Sequence, residues 1–245
     1  MYLFIKKIFK KAIPSKTFFK IEPFARALYA MAYRGKNHVC SLCNTSLKSF
    51  IKLPNDDLLC PNCGSLSRDR RLYTLLVKDY LSTNQKILDF SPSRCISRKL
   101  KKSLGTNYNS TDLSGNFNAD FKYDITNLNI DSNSLDVIIC YHILEHIEED
   151  LKAMQELFRV LKPKGIAVIQ TPFKEGDIYE DYTIKSPEER LAHFGQEDHV
   201  RVYSVKGLKE RLSSCGFEVE VKNFPEKDTF FGFTANESIL VITKP

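Results

Sequence analysis

The chain has 245 residues, long enough for one substantial α/β domain plus a small accessory module. A hydrophobic content of 42% with interspersed charges excludes a disordered chain, and no apolar run reaches the ~20 residues needed to cross a bilayer. The formal charge of +6 is unevenly spread: residues 1–40 hold nine Lys/Arg against one acid, Glu22, so the basicity belongs to an N-terminal arm and the body is close to neutral.

Taken in chain order, residues 1–35 form the first unit, a basic amphipathic arm of one or two short helices. Leu3, Phe4, Ile8 and Phe9 can share a face flanked by Lys6, Lys7, Lys10 and Lys11, and Phe24, Ala25, Leu28, Tyr29 and Ala32 can form a second apolar stripe. Two readings stand side by side: a peripheral anchor on an anionic inner leaflet, or a helix packed on the main domain with a solvated basic face. The apolar residues precede the lysines, the wrong order for a secretory signal, and a cytoplasmic protein is expected.

Residues 36–66 form the second unit. Cys40-Ser-Leu-Cys43 and Cys60-Pro-Asn-Cys63 are separated by sixteen residues. Two such knuckles across a hairpin-length spacer set four thiolates at tetrahedral corners, the donor set of a closed structural Zn²⁺ site. Four reduced cysteines without a metal are the alternative. Gly64 after the second pair allows the chain to reverse. Seven cysteines in this arrangement suit a reducing compartment better than extracellular bridges.

Residues 67–245 form the third unit. Ser67 to Leu81 has apolar residues at helical spacing and a charged first turn. Strand patterns follow at Gln85–Phe90, Asn107–Asp112 and Leu135–Tyr141, with a short piece at Phe121–Ile125 and a further strand at Gly165–Thr171. Helical patterns cover Ile96–Leu104, Glu148–Leu161 and Ser204–Cys215. The chain ends strand on strand, at Phe217–Lys222 and Ser238–Thr243, joined by a connection carrying Phe230, Phe231 and Phe233. Alternation with short loops predicts an α/β, doubly wound, mostly parallel sheet, and the strand-strand finish predicts an antiparallel closing strand.

Asp89, Asp112 and Asp124 stand at successive strand ends, with Asp112 23 residues after Asp89. That is close to the ~20-residue offset at which a carboxylate meets the vicinal hydroxyls of a bound ribose. Acids at strand ends also cap loops, and one alone would be read that way. The stretch Tyr179 to Tyr203, within a substrate-side insertion at about 172–203, concentrates polar, aromatic and titratable residues over the carboxyl edge. A solvated helix and loop with a structural histidine is the plainer alternative.

The stretch Lys86–Thr243 resembles the class I S-adenosylmethionine-dependent methyltransferases, on two segments. One is Leu135-Asp-Val-Ile-Ile-Cys-Tyr-His142-Ile-Leu-Glu145-His146-Ile, a strand running into a His-x-Leu-Glu-His signature; the other is Leu157-Phe-Arg-Val-Leu-Lys-Pro-Lys-Gly-Ile-Ala-Val-Ile169. The chain looks most like a bacterial subset carrying a four-cysteine ribbon ahead of the domain. The resemblance implies a Rossmann-like, seven-stranded sheet. It implies that Asp89, Phe90, Ser91 and Pro92 line the methionine end of S-adenosylmethionine, that Asp112 holds the ribose, that Asp124 and Ile125 flank the adenine, and that Cys140, Tyr141 and His142 pass near the sulfonium. The family usually has glycines after its first acid, but here the loop is Asp89-Phe-Ser-Pro-Ser-Arg-Cys95. Serine hydroxyls, with Arg94 as counter-charge, are expected to meet the methionine carboxylate instead.

For methyl transfer the protein must align the acceptor and, for a hydroxyl, remove its proton. His193, or His199 paired with Asp198, is the candidate base, with His146 next. The expected substrate is a small molecule or a glycan precursor. A nucleic-acid-binding module using ribbon and arm, and a scaffold with a vestigial cofactor fold, are the competing functions. The ribbon's balanced charge, two lysines and two aspartates between Cys40 and Cys63, weighs against nucleic acid.

Overall fold

The computed structural model describes residues 15–245. The first helix of the described residues, α1 (Ser15–Met31), contains Pro23. The stripe proposed around Leu3, Phe4, Ile8 and Phe9 lies outside the described residues. The ribbon follows as two small antiparallel pairs, β1 (Arg34–Val39) with β2 (Ser46–Leu47), and β3 (Ile51–Lys52) with β4 (Leu58–Leu59). At Gly64, φ is +79° and a Cβ would lie 2.8 Å from the Arg26 guanidinium, so this turn needs glycine twice over.

The helix α2 (Ser67–Leu75) runs into a single π turn over Leu76–Tyr80. Asp69 accepts from the Leu66 N–H at 2.8 Å, holding the start of the helix. Then come β5 (Ile87–Phe90), α3 (Arg94–Leu104), β6 (Tyr108–Thr111), β7 (Leu135–Tyr141), α4 (Asp150–Val160) and β8 (Leu161–Gln170). The insertion holds β9 (Tyr179–Glu180), α5 (Pro187–Phe194) and β10 (Arg201–Val202). The chain finishes with α6 (Val205–Ser214), β11 (Glu218–Phe224) and β12 (Glu237–Thr243).

The main sheet has the order β11-β12-β8-β7-β5-β6. Neighbours β6, β5, β7 and β8 are parallel, while β12 is antiparallel to both β8 and β11. This is the mixed, Rossmann-like sheet expected, with six strands. The seventh survives as one parallel bridge, Thr111 to Phe121, beside β6. Tyr123 and Asp124 leave the sheet there: the Tyr123 N–H goes to the Thr111 hydroxyl at 2.8 Å, and Asp124 turns inward on Thr126. β8 begins earlier than the Lys162-Pro-Lys-Gly165 stop suggests, because Leu161 already pairs with Leu135 and a register shift absorbs the turn residues.

Two apolar layers cover the faces. Leu88, Ile138, Cys140 and Ile169 pack with Met154, Leu157 and Leu208 on one side. Ile87, Val137, Ile139 and Val168 pack with Leu72, Leu76, Ile96 and Leu100 on the other. The second layer continues into Cys40, Leu42, Leu47 and Cys60, so ribbon and sheet share one core.

Candidate functional site

In an open sheet whose strand order reverses, ligands enter at the carboxyl ends beside the reversal. Here the chain passes from β5 out to β6 and back across to β7, and a cavity of about 760 Å³ opens at that point. Asp89, Phe90, Ser91 and Pro92 form its floor, with Asp112, Asp124 and Ile125 on one wall. Tyr141, His142 and His146 stand opposite, and Arg68 and Asp69 from the start of α2 close the ribbon side. Cys140 is not in the wall: alternation along β7 turns its side chain into the far core layer, while Ile139 and Tyr141 face the cavity side.

The first loop keeps a glycine-like backbone without glycine. Ser91 has φ +46°, in the left-handed region that L side chains rarely enter. Its hydroxyl donates to Asp112 Oδ1 at 2.8 Å, and its N–H donates to the Thr111 carbonyl at 2.7 Å. Asp112, almost fully buried, also accepts from the Ser114 hydroxyl and from the Phe117 N–H at 3.2 Å. Its carboxylate is therefore held in place before any ligand arrives. The Ser91 hydroxyl is thus spent on Asp112 rather than turned to the methionine end.

Arg94 is not a counter-charge in the cavity. Its guanidinium takes Glu22 of α1 in a two-pronged contact, Nε to Oε2 at 2.7 Å and a second nitrogen to Oε1 at 2.9 Å. Arg26 and Arg98 reach the same carboxylate. Sequence spacing could not reveal this, because Glu22 lies 72 residues away.

Asp89 is 1% exposed and accepts from the Tyr108 hydroxyl at 2.8 Å. Burial pushes its carboxyl up to about 8, against the Tyr108 hydrogen bond that lowers it. Asp124 is held locally, its Oδ1 taking the N–H and hydroxyl of Thr126, both at 2.8 Å.

The histidines divide. His193, on α5, takes the Tyr179 hydroxyl at 2.8 Å and lies outside the cavity wall. His146 lies in the wall, and His199 packs edge-on against it with ring centroids 4.7 Å apart. Asp198 meets His146, its carboxylate and its carbonyl each 3.3 Å from Nδ1. It does not pair with His199, whose Nδ1 instead donates to the Phe194 carbonyl at 3.2 Å. Arg201, 0% exposed, explains this convergence. It donates to the carbonyls of Leu144, Ile147 and Glu148 and to Glu180 Oε2, tying β10 to the signature segment. The sequence signal missed here is Ser186-Pro-Glu-Glu189, a capping box with proline at the first turn, which starts α5. Glu145, quoted in the signature but assigned no role, is buried beside these rings.

In the ribbon, all four cysteines are free thiols, and their sulfurs lie within 4.8 Å of one another. Cys40 to Cys63 is 3.7 Å and Cys43 to Cys60 is 3.8 Å. A tetrahedron of ~2.3 Å metal–sulfur bonds has edges of about 3.8 Å, so the donor set fits Zn²⁺.

Comparison with protein families matches the description "Methyltransferase domain" over residues 67–221, from the start of α2 into β11. No curated protein matches the chain. Among solved structures, an S-adenosylmethionine-dependent methyltransferase from Archaeoglobus fulgidus is 16% identical, with TM-score 0.52, covering 73% of this chain and 93% of that one. The [4+2]-cyclase SpnF is 14% identical, with TM-score 0.56, covering 94% and 95%. Phosphoethanolamine N-methyltransferase 2 of Haemonchus contortus, bound to S-adenosyl-L-methionine, is 17% identical, with TM-score 0.51, covering 72% and 52%. At these identities the likeness is one of fold.

Proposed function

Because the chain belongs to the methyltransferase-domain family, matched across residues 67–221, we propose that it moves a methyl group from S-adenosylmethionine to a small-molecule or glycan-precursor acceptor. The observation that carries this reading is Asp112: a buried carboxylate at a strand end, held by Ser91, Ser114 and the Phe117 N–H on the cavity wall. When bound, S-adenosylmethionine supplies a methyl carbon on a sulfonium, a leaving group that needs no acid.

The chain's own residues have the remaining tasks. Asp112 accepts the ribose hydroxyls, and Asp124 and Ile125 bound the adenine end. Asp89 and the Ser91–Pro92 turn lie under the methionine end, with Tyr141 and His142 next to the methyl. The acceptor enters beside His142 and His146, where Gln196 and Asp198 of the insertion also line the cavity. An imidazole there takes the acceptor's proton. His193 has no part in this reading.

Calorimetry with S-adenosylmethionine tests it. Binding in the micromolar range is expected, with Asp112→Ala weakening it about 10–100-fold through the loss of charge-assisted hydrogen bonds. Absence of binding at hundreds of micromolar, about −5 kcal/mol, would promote the scaffold function instead.

The ribbon is proposed as a structural zinc site, Cys40, Cys43, Cys60 and Cys63, read out by metal analysis at one zinc per chain. For α1, the packed-helix reading has Glu22 on the domain, yet Ile21, Phe24, Leu28 and Met31 remain exposed along one face. Among the described residues no helix is long and apolar enough to cross a membrane, and this stripe with neighbouring basic residues is proposed to lie on an anionic bilayer. Loss of vesicle co-sedimentation in Phe24→Ser with Leu28→Ser is expected; unchanged co-sedimentation refutes it.

A further inference from the structure

Glu145, His146 and His199 bring one ligand atom each within 4.8 Å of the others. Glu145 is 1% exposed, and neither of its carboxylate oxygens makes a hydrogen bond. Its nearest neighbour nitrogen, His142 Nδ1, is 3.3 Å from Oε1. A carboxylate buried this deeply, without a hydrogen bond and with one imidazole beside it, costs several kcal/mol unless a cation compensates it.

The two imidazoles are set as ligands. The His199 Nδ1–H is given to the Phe194 carbonyl, which leaves Nε2 with the lone pair; Nε2 is buried and has no partner. At His146 both neighbours of Nδ1, the carbonyl and the carboxylate of Asp198, are acceptors. Nδ1 therefore keeps the proton and Nε2 presents its lone pair. A backbone or carboxylate partner on the far nitrogen is the usual support of a metal-bound histidine. A proton relay through these two rings would need an imidazole N–H aimed at Glu145, and in both that N–H is spent elsewhere; the ring that faces Glu145 is His142, with Nδ1 3.3 Å from Oε1.

The site is also pre-built. The Val200 N–H donates to the Glu145 carbonyl at 2.9 Å, and Arg201 grips the carbonyls on either side of the signature turn. Segments 55 residues apart are thus fixed against each other by backbone contacts, not by the side chains that would bind.

We propose that Glu145, His146 and His199 bind one divalent first-row cation, of the Mn²⁺ or Zn²⁺ kind, behind the part of the cavity wall that His146 forms. Two imidazoles and a carboxylate suit such ions and leave coordination positions open. Resting on the reading above for what enters the cavity, an open position beside His146 would let the ion raise the acidity of an acceptor hydroxyl. His142, whose Nε2 is buried without a partner in the same wall, is then the imidazole left to take the proton.

The test is a Mn²⁺ titration of the full chain with its ribbon already loaded with zinc, followed by electron paramagnetic resonance of the free ion. One saturable Mn²⁺ per chain, displaced by Zn²⁺, is expected, and Glu145→Gln and His146→Gln should each weaken it at least tenfold. His146 is half-buried at the wall, so its variant keeps the core intact even if Glu145→Gln unfolds. No saturable Mn²⁺ below about millimolar, or equal affinity in parent and His146→Gln, overturns the proposal. Parallel calorimetry separates the two readings: S-adenosylmethionine binding without Mn²⁺ binding sinks the ion alone, and Mn²⁺ binding without S-adenosylmethionine sinks the methyl-transfer reading alone.

Discussion

Ser91 replaces a glycine's freedom with a bond. A left-handed serine costs about 1 kcal/mol or more, and its hydroxyl returns a hydrogen bond to a carboxylate, about 1.5–3 kcal/mol. Ser91→Gly loses the bond but relieves the backbone, so stability within about 1 kcal/mol of the parent is expected in urea melts. Ser91→Val keeps the unfavourable φ, adds a β-branch and loses the bond, and a cost of about 3 kcal/mol is expected. Asp89 carries a pH signature. Burial raises its carboxyl from 3.8 to about 8, so folding takes up a proton between those values. Its contribution to stability therefore falls as pH rises from about 4 to about 8 and is flat beyond. Asp89→Asn should remove that slope; equal slopes in parent and variant would show a carboxylate already ionised at neutral pH. At this scale the sequence revealed many of the residues that line the cavity, though not Cys140 or His193, which lie outside its wall, and not how the lining residues are spent. The spacing of Asp89, Asp112 and Asp124 placed all three on it, and the signature placed His142 and His146. The roles of Ser91 and Arg94 depend on partners 21 and 72 residues away, and Glu145 meets His199 from 54 residues away, which no local pattern encodes.

Among the elements, α1 is attached to the domain through charge. Glu22 is buried beneath Arg26, Arg94 and Arg98. Burial raises its carboxyl, but hydrogen bonds from Arg94, Arg98 and Arg26 outweigh it and bring the group down to about 2 from 4.5. A depressed carboxyl stabilises above its unfolded value and loses that contribution as pH falls from about 4.5 to about 2. Amide exchange in residues 19–31 should accelerate in that window before the sheet opens. At neutral pH, Glu22→Ala removes the buried carboxylate on which three guanidiniums converge and should loosen α1, at a cost of about 3–5 kcal/mol. Protection in α1 that is unchanged in the variant would mean the apolar contacts alone hold it. Elements with strong periodicity were legible: Leu135–Tyr141 is the strand expected, residue for residue. The weak third strand was not, since Phe121–Ile125 has too few inward residues to outcompete the turn that Asp124 and Thr126 close.

Across the whole molecule, ribbon and catalytic domain are joined through the β11–β12 connection. The sequence showed Phe230, Phe231 and Phe233 as an aromatic cluster without a task. In the fold, Arg70, fully buried, donates to the carbonyls of Ser65 and Leu58 in the ribbon and to those of Phe231 and Gly232 in the connection. Gly232 has φ +69°, and a Cβ there would sit 2.5 Å from Phe50 of the ribbon. Arg71 holds the other end through Glu237, at 2.5 Å, and the Thr234 carbonyl. Two further links run from the ribbon's first strand, the Val39 N–H to the Phe230 carbonyl and His38 to the Thr229 carbonyl. The cysteine cluster therefore sits under a clamp that reaches β12 and the Arg68 wall of the cavity. If the four thiolates hold zinc, its removal unfolds the ribbon and frees Arg70, whose buried guanidinium then loses the Ser65 and Leu58 carbonyls together. The expected result of chelation is one cooperative loss of stability, several kcal/mol in size, with raised exchange at residues 228–236 as well as 40–65. S-adenosylmethionine affinity should fall with it, because Arg68 and Asp69 begin the helix that the ribbon steadies. Gly232→Ala, which pushes on Phe50 without touching a cysteine, should reproduce the exchange pattern with zinc still bound. Raised exchange confined to residues 40–65 after chelation would instead make the ribbon an independent module carried beside the domain.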